Sequence, residues 1–180
     1  MALHDISTTS ETQWEIDPED SRIEFSIGKS PLHRVRGRFH GVRGWVVSTA
    51  DGLGNAHAEI EVDAGSIDTR FRMRDWHLRT GQFLNAKRFP TVTFISTHAD
   101  ELGRNMFRVT GDLTIRGITR HVAIDATIVR RDDKSAHITA ETTVNVRDFS
   151  IGPKVMGLVV GNTVTVQITL TLRNRANTGS

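Results

Sequence analysis

One hundred and eighty residues, 37% hydrophobic and 24% charged, make a single globular domain long enough to bury a real core. The absence of cysteine excludes disulfides and thiolate chemistry, and a net charge of only +2 does not mark a nucleic-acid binder. Aromatic residues make up 6% of the chain, with no tyrosine, and that scarcity limits how a core can be filled.

The opening stretch MALHDISTTSETQ is polar and acidic, without the apolar segment of a secretory signal. No run approaches the ~20 apolar residues of a membrane span. The expectation is a cytoplasmic protein with a flexible stretch over 1–12, one domain over 13–173 and a flexible tail over 174–180.

Strand signals then recur. SRIEFSI places Ile23, Phe25 and Ile27 on one face. RVRGRFHG places Val35, Gly37 and Phe39 opposite Arg34, Arg36, Arg38 and His40. AHAEIEVDA sets Ala56, Ala58, Ile60 and Val62 against His57, Glu59, Glu61 and Asp63. The period breaks at SIDTRFRMRDWHLRTGQFLNAKRFP, where Phe71, Trp76, Leu78 and Phe83 fall near helical spacing. Asp68 or Thr69 suits a helix cap, Gly81 divides the segment, and Pro90 stops it. Alternation resumes in TVTFIS, in MFRVTGDLTIRG (Phe107, Val109, Leu113, Ile115) and in HVAIDATIV (Val122, Ile124, Ala126, Ile128). AHITAETTVNV (Ala136, Ile138, Ala140, Val144, Val146) and TVTVQITLTL (Val164, Val166, Ile168, Leu170, Leu172) complete the series.

The chain therefore reads as all-β, with about eight strands, several near ten residues long, and a short helical segment near 69–89. One wet and one apolar face per strand is the antiparallel pattern. A sandwich and a closed barrel both fit; interior glycines at Gly37, Gly111 and Gly117, where a curved sheet bends, favour the barrel. Inward positions are mostly Ala, Val, Ile and Gly. An eight-stranded barrel is either filled by side chains or holds one small ligand. Slight inward residues point to a vacancy suited to a long, thin apolar chain; Leu and Ile packing in from both ends is the alternative.

Catalytic signals are weak. Asp75 and His77 are two apart, so on a helix they do not face each other. There is no G-x-S-x-G turn, and without cysteine only Ser or Thr could be an acyl nucleophile. His57 and Glu59 share a strand face, but it is the polar exterior, and no metal set is expected. The arginines of RVRGRFHGVR either meet nucleic-acid or membrane phosphates or pair with Glu59, Glu61 and Asp63 of a neighbouring strand. Arg70, Arg72, Arg74 and Arg79 are better placed to meet an anionic lipid head.

Six blocks, in order and spacing, carry a resemblance: WEIDPEDSRIEFSI, VRGRF, SIDT, RDWHLRTGQFLNAKRFPTVTF, GDLTIRGITRHV and RDFSIG. Across residues 13 to 173 the chain resembles the YceI family. That resemblance implies an extended antiparallel lipocalin-like barrel whose cavity binds polyisoprenoid lipids, isoprenoid quinones or prenyl phosphates, often as a homodimer. The departures are Asp20 where the family usually has His, Gly28-Lys29 where Lys-His is usual, and His121 where Pro is common. They bear on the lipid's head group.

On this reading the early strands supply apolar wall through Phe25, Ile27, Val35 and Phe39, followed by Ala58, Ile60, Val62 and Ile67. The helical segment adds Phe71, Met73, Trp76, Leu78 and Phe83, and later strands add Phe94, Val109, Leu113, Ile115 and Val166. Arg74, His77 and Arg79 would meet a polar head. No cofactor is required beyond a bound polyisoprenoid lipid. Expected partners are that lipid, a transient membrane surface and a second copy, with no nucleic acid. An enzyme acting on an apolar substrate through Asp75 or His77 is the alternative, and a nucleic-acid-binding barrel a remoter one.

Overall fold

Wherever apolar and polar residues alternate, the chain forms a strand with its apolar side turned inward. The computed structural model describes residues 11–28, 30, 32, 34–49, 52–152 and 161–177. The strands are β1 (Thr12–Ile16), β2 (Arg22–Ile27), β3 (Val35–Phe39), β4 (Val42–Thr49), β5 (Gly52–Asp63) and β6 (Ile67–Asp68). After the helix α1 (Arg72–Leu78) come β7 (Thr91–Gly103), β8 (Met106–Ile115), β9 (Ile118–Arg131), β10 (Ser135–Asn145) and β11 (Thr163–Asn174).

These join in the order β1-β4-β5-β7-β8-β9-β10-β11, and β11 returns to pair with β1, closing a ring of eight. All its pairings are antiparallel. The three remaining strands are continuations. β2 runs on from β1 along the same edge of β11, and β3 pairs with β2 as β4 pairs with β1. β6 prolongs β5 and pairs with β3. The fold is thus an eight-stranded meander, three of whose strands bend midway.

At each bend main-chain groups leave the ladder and need other partners. Asp17 accepts the N–H groups of Glu19 and Asp20, at 3.0 and 3.4 Å. Ser66 Oγ accepts from His40 N and Gly41 N, at 3.2 and 3.1 Å. Asp63 Oδ1 accepts from Gly65 N at 2.8 Å.

The sequence reading needs several corrections. β1 and β4 are not among the expected strands: β1 is short and begins within the polar opening stretch, and the apolar run Trp45-Val46-Val47 hides the alternation of β4. Thr12 lies inside β1, β11 runs to Asn174, and a turn over Arg175–Asn177 follows, so these residues are ordered parts of the barrel. The rest of the expected flexible termini, residues 1–10 and 178–180, lies outside the described residues, as does Lys29. Gly117 is not in a strand. Arg116 and Gly117, with φ of 53° and 72°, form the two-residue β8–β9 turn, where both positions need positive φ. Gly37 instead sits opposite Phe25, and a Cβ there would lie 2.5 Å from the phenyl ring.

Neither Asp68 nor Thr69 caps the helix. α1 starts after Phe71 without a side-chain cap, and the chain beyond it continues in turns rather than a second helix. What fixes the segment is Asp75, only 7% exposed, which accepts from both the N–H and the hydroxyl of Thr69. A helix of under two turns has little stability of its own, so this buried carboxylate anchors it to the end of β6.

Candidate functional site

The barrel has a near end, where β1 begins and β11 finishes, and a far end bearing α1. At the near end Trp14, Ile16, Ala136 and Leu172 are buried together. Trp14 Nε1 donates to Ser48 Oγ at 3.3 Å, and the Arg131 guanidinium lies over its ring at 5.3 Å. At the far end Phe83, Val144, Phe149 and Ile151 form a second buried cluster with Leu78, Leu84, Leu113 and Ile115 against it. Arg116 ties this end together, donating to Ser150 O at 2.7 Å and to Gly81 O at 3.0 Å.

Between the ends lies an apolar cavity of about 110 Å³. Its wall comes from seven of the eight strands of the ring: Val46 on β4, Ala56, Ala58 and Ile60 on β5, Ser96 and Ala99 on β7, and Phe107 and Val109 on β8. Ile124, Ala126 and Ile128 on β9, Ile138 and Ala140 on β10, and Ile168 and Leu170 on β11 complete it. Most of these residues point inward yet are only half-buried, because they face the void instead of another side chain. Alanine at five of these positions leaves the space. A larger hollow of about 340 Å³ lies outside, along β1, β4 and β5, lined by Glu15, Glu59, Arg43 and Trp45 among others. It is a polar surface groove, crossed by the Arg43–Glu61 ion pair at 2.6 Å.

The cavity wall has a seam. The β5–β7 ladder ends at the Glu59–Ile95 pair. One step further Ala58 N donates to a side chain, Ser96 Oγ, at 2.7 Å, and β7 bulges between Ser96 and His98. Ala56, Ala58, Ser96 and Ala99 all line the cavity at this break.

Of the anticipated wall residues, Ala58, Ile60 and Val109 line the cavity. Phe39, Val62, Phe94, Leu113 and Val166 pack in the surrounding core, and Phe25 stands 5.6 Å from Phe39, ring centre to ring centre. Ile27 and Val35 pair at the far ends of β2 and β3, both half-buried, and Ile67 is buried on β6. Leu78, Phe83 and Ile115 belong to the far-end cluster. Phe71, Met73 and Trp76 do not line the interior: they are 57%, 70% and 67% exposed, because the buried side of α1 is set by Asp75.

The three residues expected to meet a polar head brace their own segment. Arg74 donates to Thr69 Oγ1 and Thr69 O, at 2.7 and 3.0 Å. Arg79 donates to Ile67 O at 3.0 Å, and His77 Nε2 is 3.0 Å from Gln82 Oε1. Asp75 and His77 therefore engage different partners. Along the arginine-rich strands Arg43 meets Glu61 and Arg38 meets Asp68, the latter at 3.6 Å. His40 also contacts Asp68, and its hydrogen bond holds that carboxyl below the ordinary aspartate range, helped by the Arg70 N–H. Among the described residues no three His, Asp or Glu side chains converge as a metal would require.

Most of the cavity wall went unnoticed. Ile124, Ala126, Ile128, Ile138, Ala140, Ile168 and Leu170 show their inward face in the sequence, but only register reveals that they share one level of the barrel. Ser96 and Ala99 are hidden by the bulge, which shifts the alternation by one residue.

A closed eight-stranded antiparallel barrel with an apolar interior and one short helix beside its far end defines a lipocalin-like class of protein. Within that class the chain belongs to the YceI-like family, whose domain model matches residues 14–172. A UPF0312 protein of Shewanella denitrificans is 31% identical over 134 residues, covering 72% of this chain and 70% of that protein. Protein YceI of Salmonella newport is 29% identical over 146 residues, 77% of this chain and 76% of its own length. Among solved structures, Burkholderia cenocepacia BcnA superposes with a TM-score of 0.79 at 20% identity, covering 87% of this chain and 98% of BcnA. A polyisoprenoid binding domain from Saccharophagus degradans gives a TM-score of 0.73 at 16% identity, covering 89% and 98% of the two chains.

Proposed function

We propose that this protein binds an elongated apolar lipid of the polyisoprenoid class inside its barrel, and stores or carries it without transforming it. The observation behind this reading is the alanine-walled cavity, whose inward side chains are left half-covered. An apolar void forfeits contacts and so costs stability; an occupant that supplies those contacts gains ~0.8 kcal/mol per buried methylene in gross terms. The Saccharophagus fold neighbour, named for polyisoprenoid binding, supports the choice of ligand class.

The cavity of about 110 Å³ is smaller than the roughly 300 Å³ at which sites for drug-sized ligands begin. A long lipid therefore widens the barrel as it enters. The β5–β7 seam, held at Ala58 by one side-chain hydrogen bond, is the part of the wall that yields at least cost. Isoprenoid quinones and prenyl phosphates are both candidate cargoes, and the homodimer implied by the family resemblance belongs to the same proposal.

Native mass spectrometry of freshly purified protein, followed by solvent extraction and identification of any adduct, tests the reading and reports the dimer as well. The expected result is an apolar lipid adduct on the wild type that is much reduced in Ala58→Trp, with the fold retained. Protein that emerges bare and takes up no polyprenol from detergent would overturn it.

A further inference from the structure

The far end of the barrel carries side chains that the interior does not use. Arg72, Met73 and Trp76 lie at helix positions i, i+1 and i+4, on one side of α1, and all three are exposed. Met73 is 70% and Trp76 67% exposed, Phe71 just before the helix is 57% exposed, and Leu32, in the β2–β3 connection at the same end, is 92% exposed. Large apolar side chains grouped in this way mark an interaction surface rather than scattered surface hydrophobes.

Along the segment that carries them the charge has one sign, and Asp68 just ahead of it is taken up by Arg38 and His40. Between residues 70 and 90 the cations are Arg70, Arg72, Arg74, Arg79, Lys87 and Arg88, and the only acid is Asp75, which is buried against Thr69. Arg74 and Arg79 are spent on Thr69 and Ile67. Arg70, Arg72, Lys87 and Arg88 are exposed, and Arg88 also stacks on Phe89 at 5.2 Å.

We propose that this end docks on the anionic surface of a phospholipid bilayer, with Phe71, Met73 and Trp76 entering the headgroup boundary and Arg72, Lys87 and Arg88 meeting lipid phosphates. Amphipathic side chains at that depth and cations at the headgroups are what an interfacial anchor requires. A second copy fits this surface poorly, since a two-fold contact would set the same cations against each other. Single-stranded nucleic acid is better served by a basic groove than by one convex helical turn. The inference deepens the lipid-carrier reading, resting on it for the cargo: docking would put the barrel where an insoluble ligand is exchanged.

The test is flotation of the full chain with phosphatidylcholine vesicles, with and without phosphatidylglycerol. Wild type is expected to float with the anionic vesicles only, to release them as salt rises, and to show a blue-shifted tryptophan signal that Trp76→Ser abolishes. Each cation near the surface strengthens binding by roughly fivefold, so Arg72→Glu/Lys87→Glu/Arg88→Glu should weaken it by about a hundredfold or more while its thermal unfolding stays near wild type. Equal binding to neutral vesicles, full binding by the charge-reversed variant, or a concentration-dependent dimer lost with the same substitutions would overturn the proposal. Oligonucleotide binding stronger than vesicle binding at equal salt would do so too. Cargo found by mass spectrometry without flotation sinks the docking alone, and flotation without cargo sinks the carrier reading alone.

Discussion

Replacing Ala140 by leucine should make the protein more stable and less able to hold lipid. Ala140 faces the cavity, with Ala126 opposite it on β9 and Ile168 opposite it on β11. At about 24 cal/mol per Å³, an unfilled cavity of about 110 Å³ forgoes about 2.6 kcal/mol. Three added carbons regain up to about 2.4 kcal/mol at ~0.8 kcal/mol each. Fitting a branched side chain among existing neighbours costs about 1 kcal/mol in strain. The net gain is on the order of 1 kcal/mol, or roughly 2–4 °C in Tm for a chain of this length. Calorimetry on delipidated protein reads the stability, and uptake of a polyprenol reads the function. A variant destabilised by a kilocalorie or more would show that no void exists at Ala140. A stabilised variant that takes up lipid as well as wild type would show that the void is not where lipid sits.

Three other outcomes are expected. Asp75→Ala should lose two charge-assisted hydrogen bonds from Thr69 and cost about 3 kcal/mol in denaturant unfolding, with amide exchange rising over residues 69–89; Asp75→Asn, which keeps an acceptor, should cost clearly less. Ser96→Ala should leave the Ala58 N–H without its acceptor, costing about 1–2 kcal/mol and speeding exchange at Ala58 selectively. Stability should fall in acid. Partial burial alone would raise the Asp17 carboxyl, but the Arg173 hydrogen bond and the N–H groups of Glu19 and Asp20 outweigh it and hold the group below its ordinary range. The folded value is thus below the unfolded one, so the contribution is complete above about pH 4 and disappears as pH falls through the depressed value. Asp132, held down by the N–H groups of Lys134 and Ser135, acts in the same direction. Denaturation midpoints followed from about pH 6 to about pH 2, across the ordinary carboxylate range, with Asp17→Asn showing a shallower loss, would check this.

Period-two alternation alone determined that the chain would be an antiparallel β-protein, and residue type determined that its interior would be lined by small side chains such as Ala58, Ala126 and Ala140. Both are local properties: the pleat sends neighbouring residues to opposite faces whatever the partner strand is. Which strands join, and at what height, is set by long-range pairing. Only the tertiary structure therefore showed that β1 and β2 are one bent strand, that residues from β4 to β11 meet around a single void, and that the β5–β7 ladder stops at Ser96. The helical segment makes the same point. Its aromatic and basic composition was plain from the sequence, but which side turns inward was decided by the bond between Asp75 and Thr69, and that bond left Met73 and Trp76 facing out.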